Sequence, residues 1–212
     1  MGHLVGAMIR RSVRNNFRAV YWSKPSERLS GPLIYYANHH GWMDGYLMFH
    51  VVCALATPSL LWIEDFDSFP LFRSVGGLRF TQGQSLQRYT SVRQTIRKMV
   101  SDRASLVLFP EGVLHRPPDI LPFTKAMTTV AKAVPQCRIV PVAITYQMSL
   151  HQRPEAWVNV AAPSPFQDLA TARQRLQELL SEAGPANGSA YEILVDGKWD
   201  VNERWTLPRR RI

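Results

Sequence analysis

Apolar runs recur along the chain at the lengths of strands, at 32–37, 59–63, 78–80, 105–109, 138–146 and 156–161. They read as strands, and Ser105–Leu108 is rich in β-branched and aliphatic residues. Between them lie stretches with helical patterning near residues 43–56, 85–101, 122–133 and 167–183. This alternation predicts an α/β fold, a mixed central sheet flanked by helices. The run from Tyr46 to Ile63 approaches a membrane thickness in length, but Pro58 interrupts it and His50 lies inside it, so a buried helix followed by a strand is expected there.

The first 22 residues have a different character. Projected at about 100° per residue, Leu4, Val5, Met8, Ile9, Val13 and Val20 share one broad face, and Arg10, Arg11, Arg14 and Arg18 gather on the other. Residues 1–22 are therefore expected to form an amphipathic basic helix, and residues 23–212 the main domain. The helix has two readings: it lies in a membrane interface, or it packs its apolar face on the domain with the arginines outward. Its apolar stretch is too short for a transmembrane span or the core of a signal peptide.

Two short blocks carry the chemistry. In Asn38-His39-His40-Gly41-Trp42-Met43-Asp44, Asp44 lies five positions after His39, a rotation of about 140° on a helix, so the pair cannot share one helical face. With His39 in the preceding loop and Asp44 in the first helical turn, the imidazole can bend back to donate one nitrogen to the carboxylate and offer the other to a substrate. Gly41 permits the tight approach. His40, four residues before Asp44, is the rival base. The second block, Phe109-Pro110-Glu111-Gly112, follows the apolar run Ser105–Leu108.

These blocks resemble the glycerolipid acyltransferases of the 1-acylglycerol-3-phosphate type, whose first motif is Asn-His-x-x-x-x-Asp and whose third is Phe-Pro-Glu-Gly. Leu121-Pro122-Phe123-Thr124-Lys125 is similar to the family's Leu-Pro-Phe-Lys-Lys segment, and Ile139-Val140-Pro141-Val142-Ala143-Ile144 to its fourth motif. Four blocks in order between residues 33 and 146 make the resemblance far more specific than any one of them. It implies transfer of a fatty acyl group from a thioester of coenzyme A or acyl carrier protein to the hydroxyl of a lysophospholipid or other lipid acceptor. His39 would be the general base and Asp44 its orienting partner. No cofactor, metal or covalent acyl-enzyme is expected, because the thioester is already activated.

The departures bear on the acceptor. The second motif of the family ends in an arginine that holds phosphate, and here Gly83 stands in its place; after Phe-Pro-Glu-Gly the expected cation is replaced by Leu114. Two bidentate phosphate ligands are thereby lost. Either Arg79, Arg88, Arg116 or Lys125 substitutes, or the acceptor bears no phosphomonoester. Arg79, Glu111, Gly112, Arg116 and Lys125 are the expected substrate-binding residues. A membrane-surface scaffold of the same fold without turnover is the alternative function.

The net charge of +9, with Arg209-Arg210-Arg211 closing the 212 residues, suits an anionic membrane surface or an acidic carrier, and equally nucleic acid. No helix-turn-helix or zinc-finger pattern accompanies it, so nucleic acid is set aside. Trp199 and Trp205 suit a headgroup layer or the packing of the carboxyl-terminal segment. Cys53 and Cys137 lack disulfide or metal spacing and are expected to be buried thiols. His50, His115 and His151 read as isolated. With no secretion signal in view, the cytoplasmic face of a membrane is the expected location.

Overall fold

A computed structural model describes residues 2–25, 27–80 and 85–204. Among these, nine strands form one sheet: β1 (Ala19–Ser23), β2 (Leu33–Ala37), β3 (Ser59–Ile63), β4 (Gly77–Arg79), β5 (Ser105–Leu108), β6 (Arg138–Gln147), β7 (Glu155–Val160), β8 (Ser164–Pro165) and β9 (Glu192–Asp196). Their spatial order is β4-β3-β5-β2-β6-β7-β1-β9, with β8 beside β6. The strands from β4 to β6 are parallel, while β6 and β7, and β1 and β9, pair antiparallel. The sheet is thus mixed, as the sequence predicts.

Alternate residues of the central strands feed two cores. Leu33, Tyr35, Ala37, Val107, Val140 and Val142 face α2 (Asp44–Ala54), which contributes Leu47, Met48, Val51 and Val52. Ile34, Tyr36, Leu106, Leu108 and Ile139 face the other way, onto α3 (Ser85–Ser101), α4 (Ala126–Ala133) and α5 (Leu169–Glu182). A strand covered on both faces needs apolar residues at every position, and all five residues of β2 are buried.

The amino-terminal helix α1 (Gly2–Asn16) is shorter than expected. Its Val5 and Ile9 pack on Phe72, Phe49 and Tyr46, and Val13 joins the core beneath α2. Of the two readings of its apolar face, packing on the domain is the arrangement found, although Leu4 and Met8 stay exposed beside Arg10, Arg11 and Arg14. Residues 19–23 are not helical. β1 pairs parallel with β7 and antiparallel with β9, which buries Val20 in the sheet and turns Arg18 onto Glu203 of α6 (Val201–Arg204) at 2.7 Å. No helix among the described residues is long and apolar enough to cross a membrane, and the run from Tyr46 to Ile63 divides into α2 and β3.

Candidate active site

The site grows from the carboxyl ends of two adjacent parallel strands, the usual place for ligands in open α/β sheets. Tyr36 of β2 is in register with Leu108 of β5. His39 and Glu111 each follow three residues beyond that rung, so their loops meet. The His39 peptide N–H donates to Glu111 Oε1 at 2.9 Å, and its carbonyl accepts from the His115 N–H at 3.1 Å. Asn38, wholly buried, is held like an extra rung against β6: its amide donates to the Ile144 carbonyl at 2.9 Å and its Oδ1 accepts from the Ile144 N–H at 2.8 Å.

His39 and Asp44 are paired. The ring Nδ1 lies 3.0 Å from Asp44 Oδ2, and since a carboxylate only accepts, Nδ1 carries the proton and the neutral ring keeps its lone pair on Nε2. The Gly41 N–H donates to the same Oδ2 at 2.9 Å. Asp44 opens α2, where the helix dipole favours an anion, and its side chain has no exposed surface. The His39 ring also stacks on Phe109, centroids 4.4 Å apart and planes within 20°. His40 is committed elsewhere. Its Nε2 lies 3.0 Å from the Asp119 carbonyl, which requires a proton there, and its Nδ1 accepts from the Asn38 amide at 3.1 Å. Neither nitrogen of His40 is left for Asp44 or for a substrate, which separates the two histidines.

Tyr146, on β6, escaped the sequence reading. Its hydroxyl donates to Asp44 Oδ1 from 102 positions along the chain, and burial, followed by the Asp44 carboxylate, drives its pKa far above the ordinary tyrosine value. The signal for it was weak: only its place two residues after Ile144, on the same face of β6. Gly41 is required here because a Cβ would fall 2.4 Å from Tyr146 Cε2.

Glu111 is a junction. Its side chain is wholly buried, and Oε2 accepts from the Leu121 N–H at 2.6 Å and faces His115 Nε2. With the His39 N–H on Oε1, one carboxylate ties three loops, including the Leu121–Lys125 block, whose Thr124 N–H also donates to the Pro110 carbonyl at 2.8 Å. Gly112 follows at φ 76°, a left-handed turn that a side chain would strain.

His39 and Gly112 line two cavities. One, of about 370 Å³, is largely apolar and runs between α2, β3 and α1 past Tyr46, Phe49, Leu61, Phe72, Phe109 and Ile9. Trp42, Phe69, Val113 and Leu114 line it as well and are exposed. The other, of about 440 Å³, is bordered by Trp62, Phe80, Arg88, Tyr89, Thr124 and Lys125. Trp62 and Phe80 stack at 4.0 Å with planes 3° apart, and the Arg88 guanidinium lies 5.9 Å from the Phe80 centroid. Of the expected substrate ligands, Lys125 and Gly112 border this cleft, Arg79 forms an ion pair with Asp67, and the exposed Arg116 borders neither cavity. Gly83 lies outside the described residues, as do Trp205 and Arg209–Arg211.

His115 and His151 are not isolated, a correction to the sequence reading whose cause is contact between distant segments. His40, Glu111 and His115 form one cluster and His151, Asp200 and Glu203 another, each with ligand-type atoms within 4.8 Å. The first does not suit a metal, because the Asn38 amide fixes His40 with its Nε2 protonated. In the second, Arg18 already chelates Glu203, and the Arg153 guanidinium stands 3.8 Å from Asp200. Cys53 is exposed rather than buried, being on the outer side of α2, and Cys137 is half-buried with its thiol pushed up to about 11 by burial.

The model of the family described as Acyltransferase matches residues 11–145. A 1-acyl-sn-glycerol-3-phosphate acyltransferase of Cocos nucifera is 25% identical over 148 residues, which are 68% of this chain and 46% of that protein. The chain thus spans less than half the length of this relative. The crystal structure of the 1-acyl-sn-glycerophosphate (LPA) acyltransferase PlsC from Thermotoga maritima shares the fold, with a TM-score of 0.57 at 17% identity over 85% of this chain and 77% of that one. The family match runs from within α1 into β6 and takes in both the His39–Asp44 and the Phe109–Gly112 loops, and on that ground the chain belongs to the Acyltransferase family.

Proposed function

We propose that this protein moves a fatty acyl group from a thioester of coenzyme A or acyl carrier protein to the hydroxyl of a lysophospholipid or related lipid acceptor. The observation that carries this reading is the position of His39: its ring is locked by Asp44 and borders both an apolar cavity and a cation-bearing cleft. The acyl chain fits the apolar cavity and the acceptor headgroup the cleft, so hydroxyl and thioester carbon meet at Nε2. His39 removes the hydroxyl proton as the oxygen attacks, a contribution on the order of 10²–10⁴ in rate. Asp44 stabilises the imidazolium, which returns the proton to the departing thiolate. The amino-terminal turn of α2 favours the negative charge that develops on the carbonyl oxygen.

In the cleft, Arg88 and Lys125 are the cations we assign to an anionic headgroup, taking over from the arginines replaced by Gly83 and Leu114. Arg79 is paired with Asp67, and Arg116 borders neither cavity. Arg10, Arg11 and Arg14, with exposed Leu4, Met8 and Trp199, support contact with the anionic face of a membrane, each cation adding about 1 kcal/mol near such a surface.

The test is release of free thiol from acyl-coenzyme A and acyl carrier protein in the presence of lysophosphatidic acid and uncharged lyso-lipids. His39→Ala is expected to abolish it, Asp44→Asn to impair it strongly and His40→Ala much less. If no donor and acceptor pair gives thiol release that depends on His39, the scaffold reading replaces this one.

A further inference from the structure

Asp44 is a buried anion with no lysine or arginine paired to it among the described residues. Its charge is held by three donors and the start of a helix. Two of the donors, His39 Nδ1 and the Gly41 N–H, converge on Oδ2, at 3.0 and 2.9 Å. The third, the Tyr146 hydroxyl, is the donor on Oδ1. We infer that Tyr146 is a positioning residue for the His39–Asp44 pair, fixing the plane and the charge of the carboxylate so that His39 presents Nε2 to the acceptor hydroxyl; the inference rests on the base assigned to His39 above.

The physical argument concerns what Asp44 does without that hydroxyl. A desolvated carboxylate oxygen with no donor is costly, and two responses relieve it. The carboxylate rotates to share the remaining donors, which swings Oδ2 away from His39. Alternatively it takes up a proton, which removes the acceptor that sets the tautomer of His39. Either response lowers the share of molecules with the Nε2 lone pair aimed at substrate. During turnover the same bond keeps the proton on the imidazole, because it stabilises the carboxylate beside the imidazolium.

The placement of Tyr146 does not depend on Asp44. It projects from β6, its ring lies 5.8 Å from that of Phe17 with planes 18° apart, and Gly41 leaves the space the ring fills. Burial keeps its hydroxyl protonated, so it acts as a donor throughout the working pH range.

Tyr146→Phe in the full chain keeps the ring and removes the donor. Thioester turnover is expected to show kcat reduced about 10- to 100-fold, the range for losing a hydrogen bond to a charged group, with KM for both substrates within about twofold. The acid limb of the pH–rate profile should move to higher pH, since the pair takes up a proton more readily. Added to Asp44→Asn, the same substitution should cost less than about threefold further, because it acts through the group already altered. Proton NMR supplies a readout independent of turnover: the downfield His39 Nδ1–H resonance, assigned by its loss in His39→Ala, should move upfield or broaden. Tyr146→Leu, which also removes the donor and leaves the Gly41 N–H bond to Asp44 in place, should give the same signature and serves if Tyr146→Phe does not fold. Unchanged kcat, profile and resonance, or an equal loss in the Asp44→Asn background, overturns the inference. Full activity of His39→Ala would instead overturn the base assignment, and the resonance alone would then judge Tyr146.

Discussion

Glu111 offers the sharpest test of how the site is built, because its two possible roles give opposite results. If it binds the acceptor, removing its charge alters affinity; if it ties the loops together, stability falls first. In Glu111→Gln the side-chain amide has one accepting and one donating end. Whichever way it turns, its NH₂ points at the peptide N–H of either His39 or Leu121, both of which now donate to the carboxylate. One charge-assisted bond worth about 1.5–3 kcal/mol is lost and one buried donor is stranded at about 1–3 kcal/mol, so with partial relaxation the expected loss is about 2–4 kcal/mol. For a domain of this size m in urea is about 2–3 kcal/mol/M, and the unfolding midpoint should fall by about 1 M. Fluorescence-detected urea unfolding reads this directly, with turnover measured on the same protein. Glu111→Asp should also lose stability, since the shortened side chain cannot reach both loops. A midpoint that does not move, combined with an acceptor KM raised tenfold or more, would refute the tether and restore Glu111 to the acceptor site.

Two further outcomes follow from named groups. His50 is held neutral, its pKa pushed down to about 4 by burial and then by Arg10, and its buried Nε2 has no hydrogen-bond partner among the described residues. The unfolded chain binds a proton at His50 near pH 6.5 and the folded one only near 4, so stability is full above 6.5 and declines between those values. The contribution is about 3 kcal/mol by linkage, and His50→Leu should flatten the pH dependence of urea unfolding across that window. Replacing Arg88 and Lys125 together by Gln should raise the KM for lysophosphatidic acid at least about tenfold while leaving uncharged acceptors within about twofold, as expected for loss of charge-assisted bonds; equal effects on both acceptors would remove these cations from headgroup recognition.

Much of the architecture was readable from local pattern. β2, β5 and β6 are legible as apolar runs, and the structure supplies the reason, since both faces of the sheet are covered. His39 fell in a loop, and Asp44 in the first helical turn, from spacing alone. The features that escaped depend on pairing over long distances. Val20 fits the apolar stripe of α1, yet residues 19–23 find hydrogen-bonding partners in β7 and β9, more than 130 positions away, and those bonds decide the conformation. α4 begins at Ala126 rather than near residue 122 because the Leu121 and Thr124 N–H groups are drawn to Glu111 and Pro110. Tyr146 carries only a faint local signature and the partners of His151 carry none. Their meaning comes only from what the topology sets beside them.

The seating of α1 has a practical side. A polar-faced segment at the amino terminus invites removal when a soluble core is wanted, but Ile9 forms part of the wall of the apolar cavity and Val5 covers Phe72. Trimming residues 2–16 would unroof this cavity and admit water to one end of it, so a shortened protein that still folds would report on a leaky vessel rather than on the native protein.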